Sequence, residues 1–310
     1  MLFDRCSTPC RYFSIRRLNG NRVKIIYIGS SGSLSLIPLE QLLISDHSIC
    51  AISVAEGSLD RAQDPRFPIV LEGPGSIESL ARSNEIPVIR LPLDLSQSLV
   101  EIKRFEPDVI LVSCFPRKLP NSILSIPTVG CFNLHPSLLP AYRGPAPLFW
   151  QFREGQTEFG VTLHRMSLQL DRGNIIGQLP VTIPDGVTIE RANSLLATAG
   201  YQLLAQALAD FEQAAVQEIP QDEGIASYQG FPSESDFAVS NQWTAKRLFN
   251  FIRATSEPGR IYPCTVGGHV YPLLKAITYQ ENGSAKMVAT STTVTIPCAQ
   301  GYIIARVLAD

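Results

Sequence analysis

The chain has 310 residues, 45% hydrophobic and 17% charged, with 26 Lys and Arg against 28 Asp and Glu and a formal net charge of −2. That length suits roughly two domains of about 150 residues each, no run approaches the roughly 18 apolar residues of a membrane span, and the near-neutral balance argues against a molecule whose whole surface attracts nucleic acid. Seven scattered cysteines, an odd number, argue against a disulfide framework and for a reducing, cytoplasmic setting.

Residues 1–22 hold five arginines (Arg5, Arg11, Arg16, Arg17, Arg22) against one acid, Asp4, and are read as a loosely packed N-terminal extension, with an organellar targeting segment the less favoured reading. Cys6-x-x-x-Cys10 has no matching His or Cys pair nearby, so no metal site is expected there. The run from Val23 to Gly29 predicts a buried strand. A Gly/Ser turn over 30–33 and helical spacing of Leu36, Leu39, Leu42 and Leu43 follow it. This is the first βα unit of a doubly wound sheet. Gly29-x-x-Gly32 is not the G-x-G-x-x-G of dinucleotide sites, although a phosphate at that helix N-terminus is compatible with it.

Three more βα units are predicted: a strand over 48–54 with a helix over 76–83, a strand over 87–90 with a helix over 99–105, and a strand over 108–114 with a short helix over 119–124. The loop from Ala55 to Gly75 holds Arg61 and Arg66 and more acids than that, so it is not basic. An apolar run, Pro127 to Phe132, then leads into Asn133-Leu134-His135-Pro136-Ser137-Leu138-Leu139-Pro140, a strand that breaks at Pro136. Asn133 and His135, two apart, share one face of that strand. They stand at its carboxyl end, where open α/β sheets bind ligands. Further strands are expected over 159–165 and 174–183, separated by the Asp171-Arg172-Gly173 loop, and a long helix from Val187 to about Val216.

The fold class read from this order is α/β: a doubly wound, mostly parallel sheet over 23–216. A polar linker with Pro and Gly spans 217–235, and a small β-rich, barrel-like domain spans 236–310. Within that domain a helix is expected over 241–255, with strands near Thr265, over 270–279, over 286–294 and over 302–307.

Asn, His and Asp converging at strand ends suit chemistry on a carbonyl carbon. An amide NH₂ and an imidazole donate to an oxygen that becomes negative, and a carboxylate orients the imidazole or takes a proton. There is no G-x-S-x-G elbow, so a serine hydrolase is not implied; Ser137 is placed to cap the turn. The pattern Asn133-x-His135-x-Ser137-Leu138-Leu139-Pro140, Arg143-Gly144-x-Ala146-Pro147, Gly160-Val161-Thr162 and Asp171-x-Gly173 resembles the folate-dependent formyltransferases. It is most similar to the methionyl-tRNA formyltransferase type and its sugar-amine N-formyltransferase relatives, over residues 23–215 and more loosely beyond.

That resemblance implies 10-formyltetrahydrofolate as formyl donor and no metal. Asn133 and His135 would polarise the formyl carbonyl, and Asp171 would hold His135 and help deprotonate the amine. The loop Phe115, Pro116, Arg117, Lys118, Leu119 would wall the pterin pocket, with Gly173 a further cofactor contact. The family often has Tyr-Gly in that loop and this chain does not. Ser137 and Arg143 are candidate substrate contacts, and Arg143 would serve equally as a loop brace. His164 reads as a packed or surface histidine and Phe149 and Trp150 as core. Lys246 and Arg247 read as a solvated helix face.

For the acceptor, a tRNA enzyme needs a concentrated basic surface. The basic run that the resembled tRNA enzymes carry after their second strand is absent between Ala55 and Gly75. From Asp236 onward seven Lys and Arg face four acids, a mild excess. The expected acceptor is therefore a small or nucleotide-linked amine such as an amino sugar, with methionyl-tRNA as the alternative partner. A 10-formyltetrahydrofolate hydrolase or a non-catalytic folate-binding protein comes next. The first of these usually carries an extra regulatory domain, and the second would not need all three polar residues.

Overall fold

The computed structural model describes residues 22–56, 76–213 and 215–308. The expected N-terminal extension, the Cys6–Cys10 pair and nearly all of the Ala55–Gly75 loop lie outside the described residues. Two sheets organise the rest. The first contains β1 (Lys24–Gly29), β2 (Ser48–Ala55), β3 (Val88–Leu91), β4 (Val109–Ser113), β5 (Gly130–His135), β6 (Phe159–Arg165) and β7 (Ile175–Val181), in the spatial order β3-β2-β1-β4-β5-β6-β7. Strands β1 to β5 pair in parallel, and β6 and β7 are added antiparallel. The unbroken apolar runs of β1 and β4 follow from burial on both faces, which parallel sheets require.

The helices are α1 (Ser33–Leu43), α2 (Ile77–Ser83), α3 (Leu99–Arg104), α4 (Asn121–Leu124), α5 (Pro147–Glu154) and α6 (Ile189–Glu212). α1 and α6 pack together on one face of the sheet, and that layer holds the larger apolar core, with Tyr27, Leu39, Phe132, Leu134, Val161, Leu196 and Phe211 fully or nearly fully buried. Phe132 stacks on Phe211 at 4.6 Å between ring centres, an arrangement that adds about 1 kcal/mol to simple burial. The opposite face buries a second core of Ile26, Ile28, Ile110, Leu119, Ile123 and Cys131 under α3 and α4.

Most expected elements stand within a few residues of their predicted bounds. α2 and α6 start where Ser76 and Thr188 accept hydrogen bonds from Ser79 N and Arg191 N, which satisfies amides that a helix start leaves orphaned. The helix α5 has no counterpart in the sequence reading. Pro147 opens it, where a missing N–H costs nothing, and Gly155 at φ 74° ends it.

The second sheet comprises β8 (Val239–Ser240), β9 (Tyr262–Val266), β10 (His269–Gln280), β11 (Val288–Ala289), β12 (Thr293–Pro297) and β13 (Tyr302–Val307), in the order β11-β12-β13-β10-β9-β8. The helix α7 (Ala245–Ala254) packs against β10 and β13. The strand expected over 286–294 is two short strands. The hydroxyl of Thr290 bonds Thr292 N and Thr293 N and turns the chain between them. Phe149 of α5 meets Phe237 and Phe251 edge-on at 5.2 and 5.4 Å, so the apolar core runs without a break from the first sheet into the second. No helix among the described residues is long and apolar enough to cross a membrane.

The segment expected as a polar linker is laced onto the first sheet. Ile219 exchanges two backbone hydrogen bonds with Ile175, Ser227 N donates to Pro140 O, and Arg143 N donates to Ser227 O while Gln229 N donates to Arg143 O. Residues 217–232 thus form a strap across the loops at the carboxyl end of β5.

Candidate functional site

Two hydrophobic faces and an interrupted strand place the candidate side chains. Along β5, Phe132 and Leu134 point into the larger core. The pleat therefore turns Asn133 and His135 to the other face. On β6, Asn133 sits opposite His164 and His135 opposite Thr162, so two strand ends bring four polar residues onto one face. Asp171 reaches them from the β6–β7 loop. His135, His164 and Asp171 are 4%, 2% and 7% exposed, and Asn133 is half-buried.

The polar groups form one network. His135 Nε2 donates to the Tyr142 carbonyl at 2.8 Å, which turns Nδ1 toward Asp171 Oδ2 at 3.7 Å. His164 Nδ1 donates to Arg165 O at 2.9 Å, leaving Nε2 as acceptor for the Asn133 amide at 3.1 Å and 3.6 Å from Asp171 Oδ1. Gly144 N donates to Asp171 Oδ2 at 2.9 Å. Burial pulls the His135 imidazole below its ordinary range, against the partial opposition of the Asp171 carboxylate. Burial alone would raise the Asp171 carboxyl. His135, His164 and the Gly144 amide outweigh it and hold the group at about 2. At neutral pH the pair is an anionic carboxylate beside an uncharged imidazole.

Backbone geometry supports this arrangement. Tyr142 and Asp171 both occupy the left-handed region, at φ 60° and 54°, which costs an L-residue roughly 1 kcal/mol and is held only by surrounding bonds. Gln221 of the strap supplies them at Asp171: its Nε2 donates to Asp171 O and Gly173 O at 2.8 and 2.7 Å. Arg143, 2% exposed, donates from Nε and Nη2 to Gln221 Oε1 and also pairs with Glu223. At Tyr142 the backbone N donates to Ser227 Oγ at 2.8 Å.

A cavity of about 410 Å³ opens over the cluster. One wall is Phe115, Pro116, Arg117, Lys118 and Leu119 after β4, together with Met166, Ser167, Gln169, Leu170 and Asp171 after β6. The other is formed by α5 and α6 and by Tyr228, Gly230, Phe231 and Pro232 of the strap. Trp150 Nε1 fastens the strap through Gly230 O at 2.9 Å. Arg117 lies over the Phe115 ring at 5.1 Å and donates to the carbonyls of Leu91 and Pro92, so its charge braces this wall.

Asn133, His135, Asp171 and the loop 115–119 thus meet around one cavity. Three other residues carried from the sequence stand outside its lining. Ser137, fully buried, donates to Ala141 O and caps the turn. Arg143 spends its donors on Gln221 and Glu223 and braces the loop. Gly173 presses against the Arg165 carbonyl, where a Cβ would overlap the oxygen, so it serves close backbone approach.

His164, read from sequence as a packed or surface histidine, is part of the cluster. The signal for it lay in the alternation of β6, which puts residues 162 and 164 on one face once β6 is paired antiparallel with β5. Gln221 had no local signal, because its role depends on a fold-back of 50 residues.

In the crevice between β1 and β4, which dinucleotides occupy in doubly wound folds, Ser35 Oγ donates to Ser113 O and Ser113 Oγ donates to Leu34 O, so this gap is filled. Among the described residues no group of His, Cys, Asp and Glu could hold a metal ion.

Comparison with known proteins agrees with this geometry. Residues 93–208 match the family model described as formyl transferase. A methionyl-tRNA formyltransferase of Pelotomaculum thermopropionicum is 32% identical over 267 residues, 85% of this chain and 82% of that protein. One from Synechococcus sp. is 37% identical over 224 residues, 71% of this chain and 68% of that protein. Among solved structures, the N-formyltransferase of Helicobacter canadensis, in complex with folinic acid and dTDP-3-aminofucose, superposes with a TM-score of 0.67 at 19% identity, covering 92% of this chain and 99% of that one. With a cluster suited to carbonyl chemistry at the carboxyl end of β5, and relatives of this identity and coverage, the chain belongs to the folate-dependent formyltransferases and is a group-transfer enzyme.

Proposed function

We propose that this enzyme moves the formyl group of 10-formyltetrahydrofolate to the amine of a nucleotide-linked amino sugar. The observation that carries the transfer is the buried cluster of Asn133, His135, His164 and Asp171 at the floor of a single cavity. The pterin takes the wall of residues 115–119, Met166, Ser167, Gln169 and Leu170.

As the amine adds to the formyl carbon, the carbonyl oxygen becomes an oxyanion. The Asn133 amide donates to it. The proton leaving the amine passes to His135 Nδ1, which is free to accept it because Nε2 carries the proton donated to the Tyr142 carbonyl. Asp171, 3.7 Å away, stabilises the imidazolium that results. Collapse of the tetrahedral adduct breaks the bond from the formyl carbon to folate N10, and N10 takes that proton. The products are the formamide and tetrahydrofolate.

For the acceptor, Tyr228 and Phe231, 61% and 42% exposed, give flat apolar faces at the cavity mouth, such as a nucleobase stacks on. A second reading, methionyl-tRNA, is favoured by the names of the sequence relatives, both methionyl-tRNA formyltransferases, and by Arg253, Lys275 and Arg306, which line a cleft of about 320 Å³ beside the second sheet, a site for backbone phosphate. We place the reaction in the cytoplasm, in keeping with thiols at Cys50, Cys131, Cys264 and Cys298.

The test supplies 10-formyltetrahydrofolate, labelled in the formyl group, with dTDP-3-aminofucose or with methionyl-tRNA. Label in the sugar nucleotide is the expected result. Label only in tRNA, with strong dependence on salt, would replace the acceptor, and label in free formate alone would make the protein a hydrolase.

A further inference from the structure

The walls of the cavity come from opposite faces of the sheet. Phe115, Leu119 and Met166 belong to the apolar core under α3 and α4, whereas Leu34 and Ile189 belong to the core under α1 and α6. The first wall is the one assigned above to the donor. On the second, near the start of α6, stands Asn193, 4% exposed and lining the cavity, with a side chain that is hydrogen-bonded to no group among the described residues. A buried carboxamide without a partner costs about 1–3 kcal/mol, and nearly all such groups in folded proteins are satisfied. Asn193 lines the cavity, so a group bound there can complete the bonds of its carboxamide.

The neighbouring charge narrows what that group is. Ser33 Oγ donates to the carboxylate of Glu190, one helical turn from Asn193 on the same side, and Ser194 Oγ donates to Ser33 Oγ. The start of α1, the natural place for a phosphate in this layer, is thereby covered by an anion. A carboxamide offers donors and an acceptor together, which matches hydroxyls on a sugar ring and has no complement on an apolar methionyl side chain.

We propose that Asn193 is the acceptor-reading residue of this enzyme and hydrogen-bonds the hydroxyls of the amino sugar; this rests on the function proposed above and names which residue sets its specificity. The residue binds substrate and takes no part in the proton transfers of His135 and Asp171.

The experiment compares wild type, Asn193→Leu and Asn193→Ser in steady-state transfer from 10-formyltetrahydrofolate to dTDP-3-aminofucose, with calorimetric binding of folinic acid as the donor-side control. Asn193→Leu should raise the KM for the sugar nucleotide about tenfold, the loss of one or two hydrogen bonds, with kcat little changed. Folinic acid affinity and Tm should stay at wild-type values, because no protein partner of Asn193 is orphaned. Asn193→Ser, smaller but still polar, should fall between and decides the question if the leucine variant folds poorly. Unchanged sugar-nucleotide KM in both variants overturns the assignment, and so does a drop in folinic acid affinity, which would put Asn193 on the donor. A wild-type enzyme that formylates methionyl-tRNA and leaves dTDP-3-aminofucose untouched overturns the acceptor proposed above, and the role of Asn193 falls with it.

Discussion

The floor of the cavity and its α6 wall are held in opposite ways. On the floor each of the three side chains has a protein partner: Asn133 with His164, His135 with Tyr142, and Asp171 with Gly144. On the α6 wall the Asn193 side chain has none among the described residues, and the strap aromatics Tyr228 and Phe231 stand partly in solvent. A floor preorganised by its own bonds suits a transition state whose charge is the same for every acceptor. A wall with open bonds suits the part of the reaction that differs between acceptors. The closed polar floor and the open wall thus stand on separate layers of one sheet, which is the division that the proposed chemistry and the proposed acceptor recognition would use.

The sharpest way to break that division is at the floor. Asn133→Ala should lower kcat about 10²–10³-fold, the usual loss of one oxyanion donor. His135→Ala and Asp171→Ala should lower it about 10²–10⁴-fold. In each, folinic acid binding should persist, as calorimetry can show. Substantial turnover in any one of the three would remove that residue from the mechanism.

A smaller effect is expected one bond further out. Gln221→Glu keeps the oxygen that Arg143 grips but places a second oxygen against the carbonyls of Asp171 and Gly173. The charge pair with Arg143 should preserve Tm. The loss of support for the left-handed backbone of Asp171 should lower kcat about tenfold, because a slight misplacement of a catalytic group is costly. A fall in Tm with unchanged kcat would make Gln221 a structural strap residue only.

The pH profile tests the charge state of the floor. Burial holds His135 below its ordinary pKa near 6.5, so it is uncharged at neutral pH. The acid limb of kcat/KM should therefore lie below pH 6.5. In stability the sign follows from linkage: as pH falls below 6.5 the unfolded imidazole binds its proton before the folded one does, so unfolding is favoured progressively until the folded pKa is passed. Denaturant titrations of His135→Ala should lack this part of the acid loss. Asp171, at about 2, contributes stability that is complete above the ordinary aspartate range and disappears as pH falls toward 2. An acid limb above pH 6.5 would contradict the burial argument.

The smallest effects belong to the open wall. Tyr228→Ala and Phe231→Ala should each raise acceptor KM several-fold, consistent with about 1–3 kcal/mol for stacking on one base, and leave donor KM alone.

What the sequence disclosed follows the same division. The parallel strands were legible because burial on both faces demands continuous apolar runs, and Asn133 and His135 were singled out because polar residues beside a strand break stand out; the fold brings Asp171, from the loop between β6 and β7, to the same cavity. Helix α5 was hidden because it begins at a proline within a loop that otherwise reads as irregular. His164 was hidden because strand pairing, absent from local pattern, decides which face matters. The strap was read as linker because its composition is polar, and only the fold reveals that Gln221, Ser227 and Gln229 carry backbone bonds to the site. The core shared by Phe149, Phe237 and Phe251 joins distant segments in the same way.

The most direct measurement is single-turnover transfer of labelled formyl from 10-formyltetrahydrofolate to dTDP-3-aminofucose by wild type, Asp171→Asn and Asn193→Leu. The account predicts rapid transfer by wild type, collapse of the chemical step in Asp171→Asn at any acceptor concentration, and recovery of Asn193→Leu to the wild-type rate at saturating acceptor. A chemical step that stays slow in Asn193→Leu at saturation, or that survives in Asp171→Asn, would contradict the separation of chemistry from acceptor recognition.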